Sequence, residues 1–311
     1  MKLAILFSGQ GSQKTGMGLD FLENPIFKET IEKSSEACNQ DLITVFGNEH
    51  EELNKTIHVQ PALVAFEAGI FNMLKQDLSN LETSAMIGLS LGEYGAMYAS
   101  EALSLENTIS LVGDRAKYMQ EDANKVENAM AALLKPNIDT VALILDKLQK
   151  NHERVYLCNF NSPKQVVIGG ESSAVQAAIN EITNNQAAHR VIKLKVNGAF
   201  HTPLFTNASR KMHDRLKNVH FSNSSTPVIS NTTVKPFSND WNEVMEEQLS
   251  HPTYFGDCVE YAIKNYGIDT TLEIGPGKTL STFTKQIDRN IIRYSIGNFD
   301  EYQTVVEEFN K

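Results

Sequence analysis

Cysteine is scarce in this sequence, and its placement excludes two kinds of chemistry. Cys38, Cys158 and Cys258 stand far apart, with no C-x-x-C and no paired His/Cys spacing. An odd number of isolated thiols builds neither a disulfide framework nor a metal site, so no metal or redox cofactor is expected, and free thiols in a reducing compartment are. Basic charge is also in deficit: 28 Lys and Arg stand against 38 Asp and Glu, a formal net charge of -10. Nucleic-acid binding needs a basic surface to displace counterions, and this balance argues against it. Long hydrophobic runs are missing as well. No stretch suggests a membrane span, and the apolar start Leu3 to Phe7 is cut off at once by Gly9-Gln10-Gly11-Ser12-Gln13, too early for a secretory signal. A cytoplasmic protein without membrane contact is the expectation. Internal repeats and low-complexity segments are absent. Nucleotide loops are absent too: Lys14 stands where G-x-G-x-x-G needs its last glycine, and Met17 and Gly18 follow Gly16 where a Walker loop needs Lys and Ser or Thr.

What is present describes a globular α/β chain. Its 311 residues are 41% hydrophobic and 21% charged, enough for a packed core and suited to one large domain carrying a smaller one. Leu3 to Phe7 is continuously apolar, the pattern of a strand buried on both faces. Helical stretches follow around Pro25 to Cys38 and Pro61 to Lys75, then a strand at Ala85-Met86-Ile87 and a helix over Glu93 to Ser100. Strands alternating with helices predict a parallel sheet covered by helices. Between about Val126 and Val196 the order changes. Strand patterns at Ala129 to Leu134, Val155 to Phe160, Gln165 to Ile168 and His189 to Val196 enclose helical stripes at Asp139 to Lys150 and Ser172 to Asn184, the second with Ser172 or Ser173 as N-cap. That order is β-α-β-β-α-β, the ferredoxin-like unit. The expected organisation is a discontinuous large α/β domain, 1–125 and 198–311, with a ferredoxin-like α+β domain inserted at 126–197. Mixed α/β sequence resumes after it, with strands at Thr226 to Ser230 and Thr271 to Ile274, and Gly275-Pro276-Gly277 turning ahead of a helix.

Gly88-Leu89-Ser90-Leu91-Gly92 matches G-x-S-x-G between a predicted strand and a predicted helix. A serine on so sharp a turn projects its hydroxyl outward, flanking glycines avoid collision with crossing backbone, and the Leu91 N–H at the helix start can face an oxyanion. The alternative is an ordinary turn with a capping serine. A nucleophilic serine needs a base. His50, His152, His213 and His220 lie in polar surroundings, whereas His201 sits among small residues, Phe200 and Pro203 in a shaped loop; a structural hydrogen-bonded histidine is the competing reading. Arg115, in a helical stretch, is by default solvated or paired with Asp114 or Glu121, but a guanidinium is also the natural bidentate clamp for a carboxylate. The Gly9-Gln10-Gly11 loop has an unobstructed backbone to offer, for example as a second oxyanion donor.

These pieces occur in a recognisable order: G-Q-G-S-Q near the N-terminus, G-L-S-L-G-E-Y at 88–94, R-x-x-x-M-Q at 115–120, N-x-N-S-P-x-Q at 159–165, G-A-F-H-T-P at 198–203, Q-L-x-x-P at 248–252 and G-P-G at 275–277. Together they resemble the bacterial malonyl-CoA:acyl carrier protein transacylases, from about Ile5 to Lys285. The resemblance implies a hydrolase-like α/β domain with a ferredoxin-like insertion. It implies Ser90 as nucleophile, His201 as base, the N–H groups of Gln10 and Leu91 as oxyanion hole and Arg115 as clamp on the malonyl carboxylate. It further implies the backbone carbonyl of Gln248 as the group orienting His201, and Phe200 as the residue filling the space a methylmalonyl group would need. Malonyl-CoA and acyl carrier protein are the implied partners, fatty acid biosynthesis the implied pathway, and a monomer the implied state. The sequence departs from the family's usual pattern at Leu89, often histidine, and at Ser8, often proline. Lys193 with Lys195, or Lys278, Lys285 and Arg289, are candidate docking charges for an acidic carrier protein, set against plain solubilising surface. A free-standing polyketide acyltransferase, an α/β serine hydrolase and a non-catalytic module on the same fold are the alternatives.

Overall fold

The structure, a computed structural model, describes residues 1–196 and 198–311. Its strands are β1 (Leu3–Phe7), β2 (Thr83–Gly88), β3 (Asn128–Pro136), β4 (Val155–Ser162), β5 (Gln165–Glu171), β6 (Ala188–Lys193), β7 (Val228–Ile229), β8 (Thr270–Ile274) and β9 (Ile292–Ile296). They form two sheets, a five-stranded one in the order β7-β2-β1-β8-β9 and a four-stranded one in the order β4-β5-β3-β6. Every pairing in the first is parallel and every pairing in the second antiparallel.

β1 lies at the centre of the parallel sheet, and its five apolar residues serve both faces. Leu3, Ile5 and Phe7 pack into a core shared with the helices Pro25–Cys38, Thr56–Asp77 and Leu105–Ala123. Ala4 and Leu6 point the other way, onto Phe255, Val259, Leu280 and Phe283. The two-residue side-chain period of a strand divides the layers in this way, and a strand covered on both sides has no polar face to show.

The antiparallel sheet has its own core. Leu133, Val155, Val166 and Ile168 pack beneath Val141, Ile144 and Leu145 of the helix Ile138–Lys150 and Val175, Ala178 and Ile182 of the helix Ser172–Asn184. The sequence reading placed an insertion at 126–197; this sheet runs from Asn128 to Lys193, and Asn197 lies outside the described residues.

Four local expectations are corrected. The helix expected to begin near Pro61 begins at Thr56. Pro61 has no N–H to give the Ile57 carbonyl, and Gln40 Nε2 donates to that carbonyl instead at 3.1 Å, so the helix tolerates an internal proline. The same 22-residue helix is long and apolar enough to cross a membrane, contrary to the expectation that no stretch is, but 83% of its apolar window is buried within the fold. It is a core helix, apolar around most of its circumference because neighbours cover it on several sides. Neither Ser172 nor Ser173 caps the second small-unit helix. Glu171 ends β5 at the cap position without a side-chain hydrogen bond, and Ser172 N–H is satisfied by the Glu127 carbonyl at 2.9 Å. Finally, the strand expected over His189 to Val196 is β6, which stops at Lys193, so Lys195 lies beyond it.

Candidate active site

A cavity of about 340 Å³ opens where the carboxyl ends of β1 and β2 face the antiparallel sheet. The large sheet contributes the Ser8 to Ser12 loop and Leu89 to Leu91, the small sheet contributes Met130, Asn159, Asn161, Gln165 and Val167, and Phe200 and His201 enter from the returning chain. Ligands of parallel α/β sheets bind at this end because loops there are free to diverge.

Ser90 occupies the turn between β2 and the helix Gly92–Ala99 with φ of 54°, a left-handed conformation seldom adopted by a residue with a side chain. The flanking glycines are a steric necessity. A Cβ on Gly88 would lie 1.9 Å from the Gly92 carbonyl carbon, and one on Gly92 would lie 2.1 Å from the Phe7 carbonyl oxygen. The strained backbone is held by Asn231, whose Oδ1 accepts Ser90 N–H at 2.7 Å while its Nδ2 donates to the Gly88 carbonyl at 2.8 Å.

His201 also has positive φ, 62°, and is 4% exposed. Its Nδ1 lies 2.7 Å from the Gln248 carbonyl oxygen, which can only accept, so Nδ1 carries the proton. Nε2 is then a bare acceptor, and Ser90 Oγ stands 2.7 Å from it. Burial, and next the positive charge of Arg115, push the imidazole down to about 4, so it remains an unprotonated base throughout the neutral range. Gln10 and Leu91 line the same cavity, and their backbone N–H groups have no acceptor among the described residues.

Arg115 is 1% exposed, not solvated, and it pairs with neither of its default partners: Asp114 pairs with Arg215 at 2.6 Å and Glu121 pairs with Lys211. Its Nη1 donates to Gln60 Oε1 at 2.7 Å, and its Nη2 donates to Gln248 Oε1 at 3.1 Å and to Ser90 Oγ at 3.2 Å. The guanidinium lies over the Tyr94 ring, 5.5 Å from its centroid. A cation is thereby held with its fork beside the nucleophile.

Phe200 is 7% exposed, lines the cavity and packs against Phe205 with ring centroids 5.2 Å apart. Leu89 lines the cavity as well. All five candidate docking charges, Lys193, Lys195, Lys278, Lys285 and Arg289, are exposed, and Lys278 pairs with Glu301 at 2.8 Å.

The site also uses residues that the sequence reading left aside: Gln60, Asn231, the side chain of Gln248, and Glu93. Gln60 and Glu93 do carry a signal, as polar side chains on segments whose neighbours are otherwise apolar. Asn231 sits in an ordinary Ser-Asn-Thr turn, and nothing in its neighbourhood marks it.

Comparison with known proteins places the whole chain. The acyl transferase domain family matches residues 5–291. The malonyl CoA-acyl carrier protein transacylase of Bacillus subtilis is 32% identical over 310 residues, covering 98% of this chain and 96% of the relative. Among solved structures, MCAT from Streptococcus pneumoniae superposes with a TM-score of 0.93 at 35% identity, covering 99% of this chain and 100% of that one. A malonyl-transacylase in complex with its type II PKS acyl-carrier protein superposes with a TM-score of 0.93 at 31% identity, again covering 99% and 100%. With a family match over nearly the whole chain and relatives above 30% identical covered almost end to end, the chain belongs to the malonyl-CoA:acyl carrier protein transacylase family.

Proposed function

We propose that this protein transfers malonyl from malonyl-CoA to the phosphopantetheine thiol of acyl carrier protein through an ester on Ser90, supplying malonyl-carrier protein for fatty acid biosynthesis as a cytoplasmic monomer. The observation that carries the reading is the buried Arg115 fork 3.2 Å from Ser90 Oγ. Malonyl bears a carboxylate one methylene from its thioester carbonyl, so an acyl carbon bonded to Oγ brings that carboxylate to the guanidinium.

In the first half-reaction His201 Nε2 takes the Ser90 proton as Oγ adds to the thioester carbonyl. The tetrahedral oxyanion rests on the N–H groups of Gln10 and Leu91, and the intermediate collapses with cleavage of the C–S bond, the proton passing from His201 to the departing thiolate. In the second, the carrier thiol gives its proton to His201 and adds to the ester, and Ser90 Oγ leaves with that proton. One group serves as base and then acid in each half, the pattern of ping-pong transfer. The bound carboxylate also offsets the Arg115 charge that holds His201 down. Malonyl thereby makes the imidazolium of the transition state less costly, and acetyl cannot. In this reading the inserted unit, 126–197, roofs the cavity with Met130, Val167 and Leu194.

An α/β serine hydrolase is the second reading. It is disfavoured because His201 Nδ1 meets a carbonyl and not a carboxylate, and because it gives the Arg115 fork no task. Brief incubation with malonyl-CoA or acetyl-CoA, followed by intact-protein and peptide mass spectrometry, tests the proposal. A malonyl adduct on the Ser90 peptide, discharged by carrier protein and not by water, is the expected result; an adduct lost to water as fast as to carrier would favour the hydrolase.

A further inference from the structure

Glu93 is fully buried on the first turn of the helix Gly92–Ala99, and the transfer chemistry described above makes no use of it. Its two oxygens are nevertheless tied to both halves of the site. Oε1 accepts the backbone N–H of Asn231 at 2.5 Å, and Asn231 is the residue that holds the Ser90 N–H and the Gly88 carbonyl. Oε2 accepts from Gln248 Nε2. That same Nε2 donates to the Ser90 carbonyl at 3.0 Å, Gln248 Oε1 accepts from Arg115, and the Gln248 main-chain carbonyl holds His201. Nucleophile, base and clamp are therefore each linked to one carboxyl group through Asn231 or Gln248.

An amide has two ends, and only one orientation of Gln248 suits this site. With Nε2 toward Glu93 and the Ser90 carbonyl, Oε1 faces Arg115. Reversed, the amide would aim N–H at the guanidinium and its oxygen at two acceptors. Arg115, the Ser90 carbonyl and an ionised Glu93 all enforce the first orientation; a carboxylate accepts and has nothing to donate, whereas a protonated carboxyl would set an O–H against the N–H of Gln248 or Asn231.

We propose that Glu93 is a positioning residue whose ionised carboxylate fixes the Gln248 amide between Arg115 and Ser90, and whose protonation releases that amide and so slows malonyl loading. The inference rests on the malonyl-transfer reading and adds a pH-dependent control to it. The charged and titratable groups around Glu93 are Arg115 from the helix Leu105–Ala123, Cys258 from the helix Phe255–Tyr266, Tyr94 on its own helix, Glu67 from the helix Thr56–Asp77 on the far side of Gly95, and His201 through Gln248. β1, β2 and β7, which pack against the same helix, carry no titratable side chain. Burial raises Glu93 to about 7, against the lowering effect of its two N–H donors and Arg115. The signs separate the two groups. Glu93 is ionised above that value and loses its charge as the pH falls through it, whereas His201, pushed down to about 4, stays an unprotonated base across the same interval. A loss of loading near neutrality thus belongs to the glutamate.

The test is the pH profile of kcat/KM for Ser90 loading from S-malonyl-N-acetylcysteamine, a donor that has no phosphate to titrate. The wild type is expected to fall by up to about tenfold per pH unit below about 7 and to level off near the rate of the uncharged Glu93→Gln variant. Glu93→Gln should load about ten- to a hundredfold more slowly at pH 8, as for loss of a hydrogen bond to a charged group, and should be flat from pH 5 to 8. Gln248→Met keeps the main-chain carbonyl for His201 but severs the side-chain link, and it should flatten the profile in the same way even if Glu93→Gln does not fold. A wild type that acquires malonyl with a flat profile down to pH 5, or a folded variant that keeps the neutral-range fall, overturns the inference and leaves the transfer reading standing. A wild type that acquires no malonyl at any pH overturns both.

Discussion

Arg115→Ala is the perturbation on which the substrate assignment turns. The wild-type guanidinium presents a planar fork beside Ser90, and two charge-assisted hydrogen bonds to a malonyl carboxylate contribute about 1.5–3 kcal/mol each. The sum, about 3–6 kcal/mol, corresponds to roughly two to four powers of ten. Water admitted to the vacated space will solvate the carboxylate and recover part of this, so a fall of about a hundredfold in the malonyl-to-acetyl ratio is expected. Two side effects can be worked out. Gln60 Oε1 and Gln248 Oε1 lose their donor, but a charge that was 1% exposed is no longer held out of water, so the opposing costs keep the change in stability moderate. His201 loses the positive neighbour that helps to depress it to about 4, so its basicity rises and acetyl loading at neutral pH should hold steady or accelerate. The assay is single-turnover loading from each coenzyme A ester, quenched and read by intact-protein mass. If the variant remains as malonyl-selective as the parent, Arg115 is not the clamp.

Other consequences follow from the same geometry. Phe200→Ser removes a ring that lines the cavity beside His201 and should raise methylmalonyl loading relative to malonyl by about tenfold or more, the usual worth of room for one carbon; an unchanged ratio in competition between the two esters would assign the selectivity elsewhere. Gly92→Ala drives a Cβ to 2.1 Å from the Phe7 carbonyl oxygen and should destabilise by about 4 kcal/mol or more, seen as insoluble or cold-labile protein. Gly113→Ala is its control: that Cβ meets nothing closer than Cys38 Cβ at 3.9 Å inside a helix, so Tm should hold or rise by the equivalent of up to about 1 kcal/mol.

The sequence by itself determined the layers and the glycine-flanked turn, and supplied the candidates for the reacting groups. A short apolar run such as Leu3 to Phe7, ended by a glycine loop, has the pattern of a strand covered on both faces, and the β-α-β-β-α-β order defines the antiparallel unit because side-chain periodicity is a local property that needs no knowledge of distant chain. The ordered motifs carry a family resemblance, and through it they pointed to Ser90, His201 and Arg115. What only the tertiary structure decided is how those groups are wired. Arg115 looks like a surface arginine along its own helix, and its burial comes from Gln60, Tyr94 and Gln248 on three other segments. Asn231 is an unremarkable turn residue until the parallel sheet sets β7 beside β2 and brings it under Ser90. Glu93 follows the G-x-S-x-G pattern directly, yet its partners come from positions 231 and 248. Hydrogen bonds and desolvation depend on which atoms converge in space, and convergence across more than a hundred residues of chain leaves no periodic trace in the sequence that encodes it.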